Sequence, residues 1–487
     1  MVDILSIGRT GLGAAKKSLE TTGHNIANVN TEGFSRQRVE QSTNTPVSQS
    51  GLISGTGTKV RGITRAHDPF IEKRLNKAQS ESSYFESRHE ELTQIENIFN
   101  EIDNEGLNQV LNRFYNSFRE LGNQPENETI RSVVRDNASL VVKDFRRIRD
   151  TLDNLARSVD NKVVGEVEDI NTILRNVTGL NKKIATLEGA GDETSDLRDQ
   201  RDLAIRELSK SFKIHTYVDE KNGFNVSAVG VGTLIAGGQH QELAVGGLSK
   251  KNSSNNMDGS MEVFFKERPT HNISSKIKGG KLASMLTARN ENIRELQDKI
   301  DSVAFEFANT VNAIHRRGFV ARPIEAGPNG EVSEFDTKGA TTGINFFKVP
   351  VAKEGAAINL SLSDEVSSDL GNIITGLNPN SPGDNRVAIA ISKLQHERFM
   401  DDGTSTLEEH YLKVIGNIGL ETGKAKLDKE QSEGIKVQLD TLRERTSGVN
   451  IDEETSNLVR FQHAYEASAK VMQTANEMFQ TILSIKR

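Results

Sequence analysis

The side chains able to do chemistry are few in this sequence and poorly grouped for it. His24 stands beside Asn25, Asn28 and Asn30, a polar set that fits the cap of a helix end better than a metal cluster, which needs further histidines or carboxylates converging on one ion. Gly11-Leu12-Gly13-Ala14-Ala15-Lys16 lacks the longer loop ending in Gly-Lys-Ser/Thr that cradles phosphate, and no buried strand leads into it. The run Asp196-Leu197-Arg198-Asp199-Gln200-Arg201-Asp202 offers paired carboxylates for acid–base work. Acids interleaved with arginines on a helix more often form an ion-pair face or a hydrogen-bond clamp. His215, His240, His271, His315, His396, His410 and His463 are scattered singly, without a nucleophile beside them. Cysteine is absent, which removes disulfides, thiolate metal sites and thiol nucleophiles together. The expectation is a chain with no catalytic site, no metal and no cofactor.

The elements that carry these residues have a clearer logic. Near the N-terminus Leu5, Leu12, Leu19 and Ile26 recur every seven residues, each followed three residues later by Gly8, Ala15, Thr22 or Val29, which is an a/d helical seam. The helix should stop within Asn28–Gly33, where Asn and Gly tolerate a left-handed cap. Gly8, Gly11 and Gly13 each weaken it by about 1 kcal/mol relative to Ala, so it needs partners. The C-terminus repeats the register with Leu458, Tyr465, Met472 and Phe479, followed by Phe461, Ser468, Ala475 and Ile482. Val459, Val471, Met478 and Leu483 widen that stripe beyond one face. Matching heptads at opposite ends point to two helices that pair with each other and with neighbouring copies.

Between the ends the three-to-four-residue spacing persists. Phe85, Leu92, Ile95, Phe99 and Ile102 mark one helix, and Leu107 to Leu121 a second after Asn104-Glu105-Gly106. From Val134 to Leu187 apolar residues step almost without fault, giving a rod on the order of 80 Å with Gly165 and Gly179 as candidate bends. Further helices are expected over Lys281–Arg317, Arg386–Met400 and Leu407–Arg445. Phe212–Ser275 and Phe319–Gly383, rich in Gly, Asn, Ser and Thr, read as strands and turns. The fold class is therefore mainly α with β-rich inserted domains: elongated, multi-domain, with paired coiled-coil-like terminal helices followed by a long helical rod. The expected division is 1–36 with 447–487 as the terminal pair, 37–211 with 276–318 and 384–446 as the rod, and 212–275 with 319–383 as the β-rich insert.

Composition narrows the function further. Only 35% of the 487 residues are hydrophobic and 5% aromatic, lean for a compact globule of that length and suited to thin modules. The net charge of -7 leaves no basic footprint for nucleic acid or an anionic membrane. No apolar run is long enough for a membrane span or placed as a cleavable signal peptide, so if the chain leaves the cell another route carries it.

Two stretches then carry a family resemblance. Gly11 to Leu19 with His24-Asn25-Ile26-Ala27-Asn28-Val29-Asn30-Thr31-Glu32-Gly33-Phe34-Ser35-Arg36-Gln37 resembles the N-terminal signature of flagellar rod, hook and hook-associated proteins. Ser447 to Glu454, Leu458 to Gln462, Tyr465 to Ala469 and Ala475 to Phe479 resemble their C-terminal signature. Asn25, Ile26, Ala27, Asn28, Thr31, Gly33 and Phe34 are the motif positions; Glu32 stands where the family commonly has Pro, and Phe34 where it commonly has Tyr. Leu197–Asp202, Gly279–Arg289 and Val311–His315 are similar to the hook-associated members at the junction of hook and filament. The resemblance implies a structural subunit secreted through the flagellar type III export apparatus, with a chaperone on its C-terminal helix. It also implies a ring of identical subunits between the hook protein and a second junction protein on the flagellin side. Rod and hook subunits share the terminal motifs, and the long helix argues against them. An enzyme or adhesin carried by the insert is the alternative from another class.

Overall fold

The computed structural model describes residues 2–49, 52–99, 106–220, 222–247, 260–320, 342–379 and 381–485. Helix α1 (Val2–Ala27) ends where Asn28 folds back: its Nδ2 donates to His24 O at 3.0 Å and its Oδ1 accepts from Thr31 Oγ1 at 3.1 Å. Gly33, at φ +80°, then reverses the chain, a conformation costly for a residue with Cβ. Strands β1 (Gln37–Thr43), β2 (Val47–Gln49), β3 (Leu52–Ser54) and β4 (Thr58–Arg65) follow, β1 antiparallel to β4 and β2 to β3. The helical rod expected from residue 37 is thus corrected: its first described residues form these four strands and no helix, as their Val, Thr and Ile content favours.

Helix α2 (Pro69–Phe99) opens with Pro at its first position and Asp68 Oδ1 accepting Phe70 N–H at 2.8 Å. After α3 (Leu107–Asn123) comes α4 (Glu128–Ala190), capped by Asn127 and closed by Gly191 in the left-handed conformation. It runs without a break through Gly165 and Gly179, roughly 95 Å of helix at 1.5 Å per residue. Its inner stripe, including Val141, Phe145, Leu152, Val159, Ile170 and Leu174, is fully buried. The expected Ile102 and Asn104–Glu105 lie outside the described residues.

Past α5 (Ser195–Ser211) the chain forms β5 (Ile214–Val218), β6 (Phe224–Ala228), β7 (Gly232–Ala236) and β8 (Gln239–His240), a four-stranded antiparallel meander. β9 (Leu243–Gly247), β10 (Met261–Phe265) and β11 (Arg268–Asn272) form a three-stranded sheet beside it. Val226, Leu234, Leu243 and Val263 from these sheets join the same hydrophobic core as α4. Helix α6 (Gly280–Thr287) continues through a π turn over Ala288–Ile293 into α7 (Arg294–His315). Gly280, at φ +72°, leaves its Cα against the Ser211–Phe212 backbone, where a Cβ would overlap it.

The second β-rich interval, 319–383, is corrected where it is described. Residues 342–379 hold short helices α8 (Ala356–Asn359) and α9 (Asp364–Ser368) and only isolated bridges. Side chains of α7 hold this segment in place of a sheet ladder. Asn312 Oδ1 accepts Phe346 and Phe347 N–H at 2.9 Å, Asp301 accepts Gly355 and Ala357 N–H, and His315 bridges Ile344 O and Ile374 N–H. Phe114, Phe118, Phe145, Phe307, Phe346 and Phe347 pack edge-on and tilted around that contact. Helix α10 (Arg386–Lys393) leads to α11 (Leu407–Ser447), which starts with a reciprocal Thr406–Glu409 capping box. Three residues later α12 (Ile451–Ile485) ends the described chain.

Candidate assembly interface

Helices α1 and α12 pack lengthwise and antiparallel. Gly8 faces Met472 and Ser468, Gly11 faces Ser468, and Asn25 lies against Glu454. A Cβ on Gly8 would stand 2.7 Å from Met472 Cγ, and one on Gly11 3.1 Å from Ser468 Oγ, so both glycines are there to let the backbones approach. The buried residues are small or polar: Gly8, Ala14, Ala15, Ser18, Thr21, Thr22 and Asn25 from α1, of which Ser18 also accepts from Gln41 of β1, and Glu454 and Ala475 from α12.

The large residues of the heptads border this strip. Leu5, Leu12, Leu19, Ile26 and Val29 are half-buried, as are Leu458, Phe461 and Met472. Tyr465, Phe479 and Ile482 remain exposed together with Val459, Val471, Met478 and Leu483. Helix α12 therefore presents one face to α1 and leaves a second apolar face open to solvent. That exceeds what scattered surface hydrophobics account for.

A polar joint ties this helical limb to the rod. Asn25 is buried and exchanges two 2.9 Å hydrogen bonds with the backbone of Gln37, while its Nδ2 also donates to Glu454 Oε2 at 3.1 Å. Arg36 donates to Glu454 and Glu453, both at 2.7 Å, and its N–H to Ser447 O at 2.8 Å. From the other side Asp199 Oδ2 accepts Ser35 N–H and its Oδ1 accepts from Arg65, both at 2.8 Å; Arg65 also meets Asp202 at 2.6 Å. Glu72 takes Arg443 and Arg206, and Arg443 donates to Gly33 O at 3.0 Å. The turn from Gly33 to Gln37 is thereby bound by α5, β4, α11 and α12 at once.

Burial by itself lowers the Arg65 pKa, and Asp202 and Asp199 more than reverse this, so the guanidinium stays charged. Arg36 follows the same pattern, with burial opposed first by Glu453. Burial draws Arg201 down to about 10 while its guanidinium lies 3.8 Å from the Phe224 ring centroid.

The motif positions find distinct places. Asn25 is enclosed at the joint, Asn28 caps α1, and Gly33 makes the turn against Leu203. Phe34 packs its ring edge against His24 at 5.5 Å, while Ala27 and Thr31 are exposed. The aspartates at 196–202 form a clamp, and its partners lie far away in sequence. Arg65, Glu72 and Arg443 carry no spacing signal that marks them beforehand, and Arg36 and Glu454 lie within the signature stretches with nothing there to pair them. An open polar cleft of about 650 Å³ lies between α1, the β1–β4 hairpin and α12, lined among others by Thr21, Gln41, Arg36 and Phe461. Among the described residues no three His, Asp or Glu converge as metal ligands, and no described helix is long and apolar enough to cross a membrane.

A rod whose two chain ends meet in one helical limb, with a second apolar face left open, is the architecture of a subunit in a structural assembly. Comparison with known proteins places it. Residues 92–329 match the flagellar hook-associated protein FlgK helical domain, 5–34 the flagella basal body rod protein family and 444–485 the flagellar basal body rod FlgEFG protein C-terminal region. Flagellar hook-associated protein 1 of Bacillus subtilis strain 168 is 28% identical, over 99% of this chain and 97% of its own length. Its Salmonella typhimurium counterpart is 24% identical over the whole of both. The solved flagellar hook junction protein FlgK from Burkholderia pseudomallei superposes with a TM-score of 0.62 at 15% identity, covering 77% of this chain and all of that one. The chain is similar along its whole length to the FlgK hook-associated proteins, and it is a structural component of the bacterial flagellum.

Proposed function

We propose that this chain joins hook to filament as a junction subunit and does no chemistry of its own. The observation that carries this reading is the pairing of α1 with α12 through small residues, which leaves Val471, Met478, Phe479 and Leu483 facing outward. In a ring of identical subunits that outer face meets the neighbouring copy, with hook protein on one side and a second junction protein toward the filament on the other. Before assembly the same apolar face needs cover in the cytoplasm, which suits an export chaperone held on the C-terminal helix until the chain enters the type III apparatus. The buried ionic joint fixes the limb to the rod, because desolvated charges tolerate few alternative geometries. Scattered histidines and the absence of cysteine favour a structural role over an enzymatic one. Tagging the chain in intact flagella tests the placement. Label confined to the hook–filament boundary is expected, and label along the whole hook would overturn it.

A further inference from the structure

The first part of helix α11 buries Leu407, Tyr411, Val414 and Ile418 in the main core, whereas farther along the helix large apolar side chains stand outward. From Thr422 onward the side it turns inward carries Thr422, Ala425, Ser432 and Leu439, all buried; Ala425 lies in the main core, and Leu439 packs with Leu75 and Ala78 of α2. The side turned outward carries Leu420 and Leu427, which are 74% and 67% exposed, followed by Ile435 and Leu442. At 3.6 residues per turn Gly416 and Gly423 share the face of Leu420 and Leu427, and a Cβ at either glycine would meet nothing within 4 Å. Helix-weakening glycines between exposed leucines serve no purpose inside this chain. They do serve one if another backbone lies along the face.

We infer that the outer face of α11 is a second contact between copies of this chain, one that forms only after the terminal helices have met. This rests on the assembly reading above and extends it from the limb to the rod. Three observations select a second copy as the occupant. Residues 412–442 carry five lysines and five acidic residues, so the face favours neither an acidic nor a basic partner, and like copies do not repel. From Gly416 to Leu442 the face is about 40 Å long and about 10 Å wide. That is roughly half the area per partner of a stable independent interface, so it holds only where another contact already aligns the copies. Finally, α11 passes into α12 across residues 448–450, so the same chain carries both apolar faces into the assembly. In a closed ring each α11 would meet a different surface on the next subunit, as heterologous contacts do.

The test uses the full-length chain added to isolated hooks that lack it, with ring incorporation measured beside the monomer melting curve. Leu420→Lys with Leu427→Lys should leave the melting temperature unchanged and cut incorporation at least tenfold. Gly416→Ala with Gly423→Ala should raise the melting temperature and still lower incorporation, a split that a merely structural role would not produce. Incorporation of the double lysine variant at the wild-type level overturns the inference. So does a normal ring that fails only to receive the next component, since the face would then belong to another protein. Unchanged incorporation of the alanine pair overturns the close backbone approach. Met478→Lys reports separately on the α12 face: if it assembles as wild type, the terminal-helix reading fails, whatever α11 does.

Discussion

Replacing Gly8 and Gly13 with alanine should have different effects, although both stand in α1 and both gain the same helix propensity, about 1 kcal/mol. At Gly13 a Cβ meets nothing within 4 Å, so the gain is kept, and the concentration needed for assembly should fall about fivefold by the rule of 1.4 kcal/mol per decade. At Gly8 the new Cβ would stand 2.7 Å from Met472 Cγ, about 1 Å inside the comfortable carbon–carbon separation. Methionine is adaptable, but Met472 N at 3.5 Å and Ser468 O at 3.6 Å bound how far the helices can yield. Overpacking costs about 1–3 kcal/mol, which cancels or exceeds the propensity gain and leaves a net loss of up to about 2 kcal/mol. The required concentration should then be unchanged or rise by as much as about thirtyfold. Light scattering of the purified chain across a concentration series measures both variants. If Gly8→Ala promotes assembly as strongly as Gly13→Ala, the close α1–α12 approach is wrong.

Leu12→Asp or Met472→Asp should block incorporation while the rod melts as in the wild type, because each places a charge in the half-buried border of the limb; normal motility of cells carrying either variant would refute this. Asp199→Asn removes the charge facing Arg65 while keeping one acceptor for Ser35 N–H, and should cost about 1–3 kcal/mol. Hydrogen exchange at residues 33–37 should accelerate, and unchanged protection there would count against the clamp. Burial lowers the His315 pKa from 6.5 to about 4, consistent with its ring donating to Ile344 O and accepting from Ile374 N–H as the neutral form. The unfolded chain therefore takes up the proton first as pH falls. Stability should be lost between about pH 6.5 and pH 4, by on the order of 3 kcal/mol in total. Urea midpoints of wild type and His315→Asn across that range measure this, and parallel pH slopes would refute it.

Helix periodicity made α4 legible from Val134 to Leu187, because a helix that long repeats its signal many times and its whole inner stripe enters one core. The heptads of α1 and α12 were legible as helices, but not as a seam whose enclosed residues are Gly8, Ala15 and Thr22 and not the leucines. Periodicity ranks positions by hydrophobicity, whereas close approach is set by what is missing from a side chain. Strands β1 and β4 are largely half-exposed to exposed on both faces, so their alternation is weak. The interval after residue 342 has the composition of strands and turns, yet Asp301, Asn312 and His315 supply the hydrogen bonds that a neighbouring strand would otherwise give. The clamp at 196–202 could be seen as ionic but not assigned, since Ser35 and Arg65 are more than 130 residues away in sequence.

The limb and its joint solve different geometric problems, and their chemistry differs for that reason. A seam of small residues sets how close α1 and α12 lie, because each Cβ removed or added changes the separation directly. It does little to fix the angle of the pair against the rod, since apolar contact is not directional. The angle falls to Asn25, Arg36, Glu454, Asp199 and Arg65, whose hydrogen bonds have narrow distance and angular ranges. Losing a seam contact should therefore weaken assembly in a graded way. Losing a joint contact should instead let subunits associate at wrong angles, giving aggregates or malformed rings at normal affinity. Asp199→Asn and Gly8→Ala, compared by electron microscopy at matched degrees of assembly, separate the two. Equally regular rings from both would show that the joint does not set the angle.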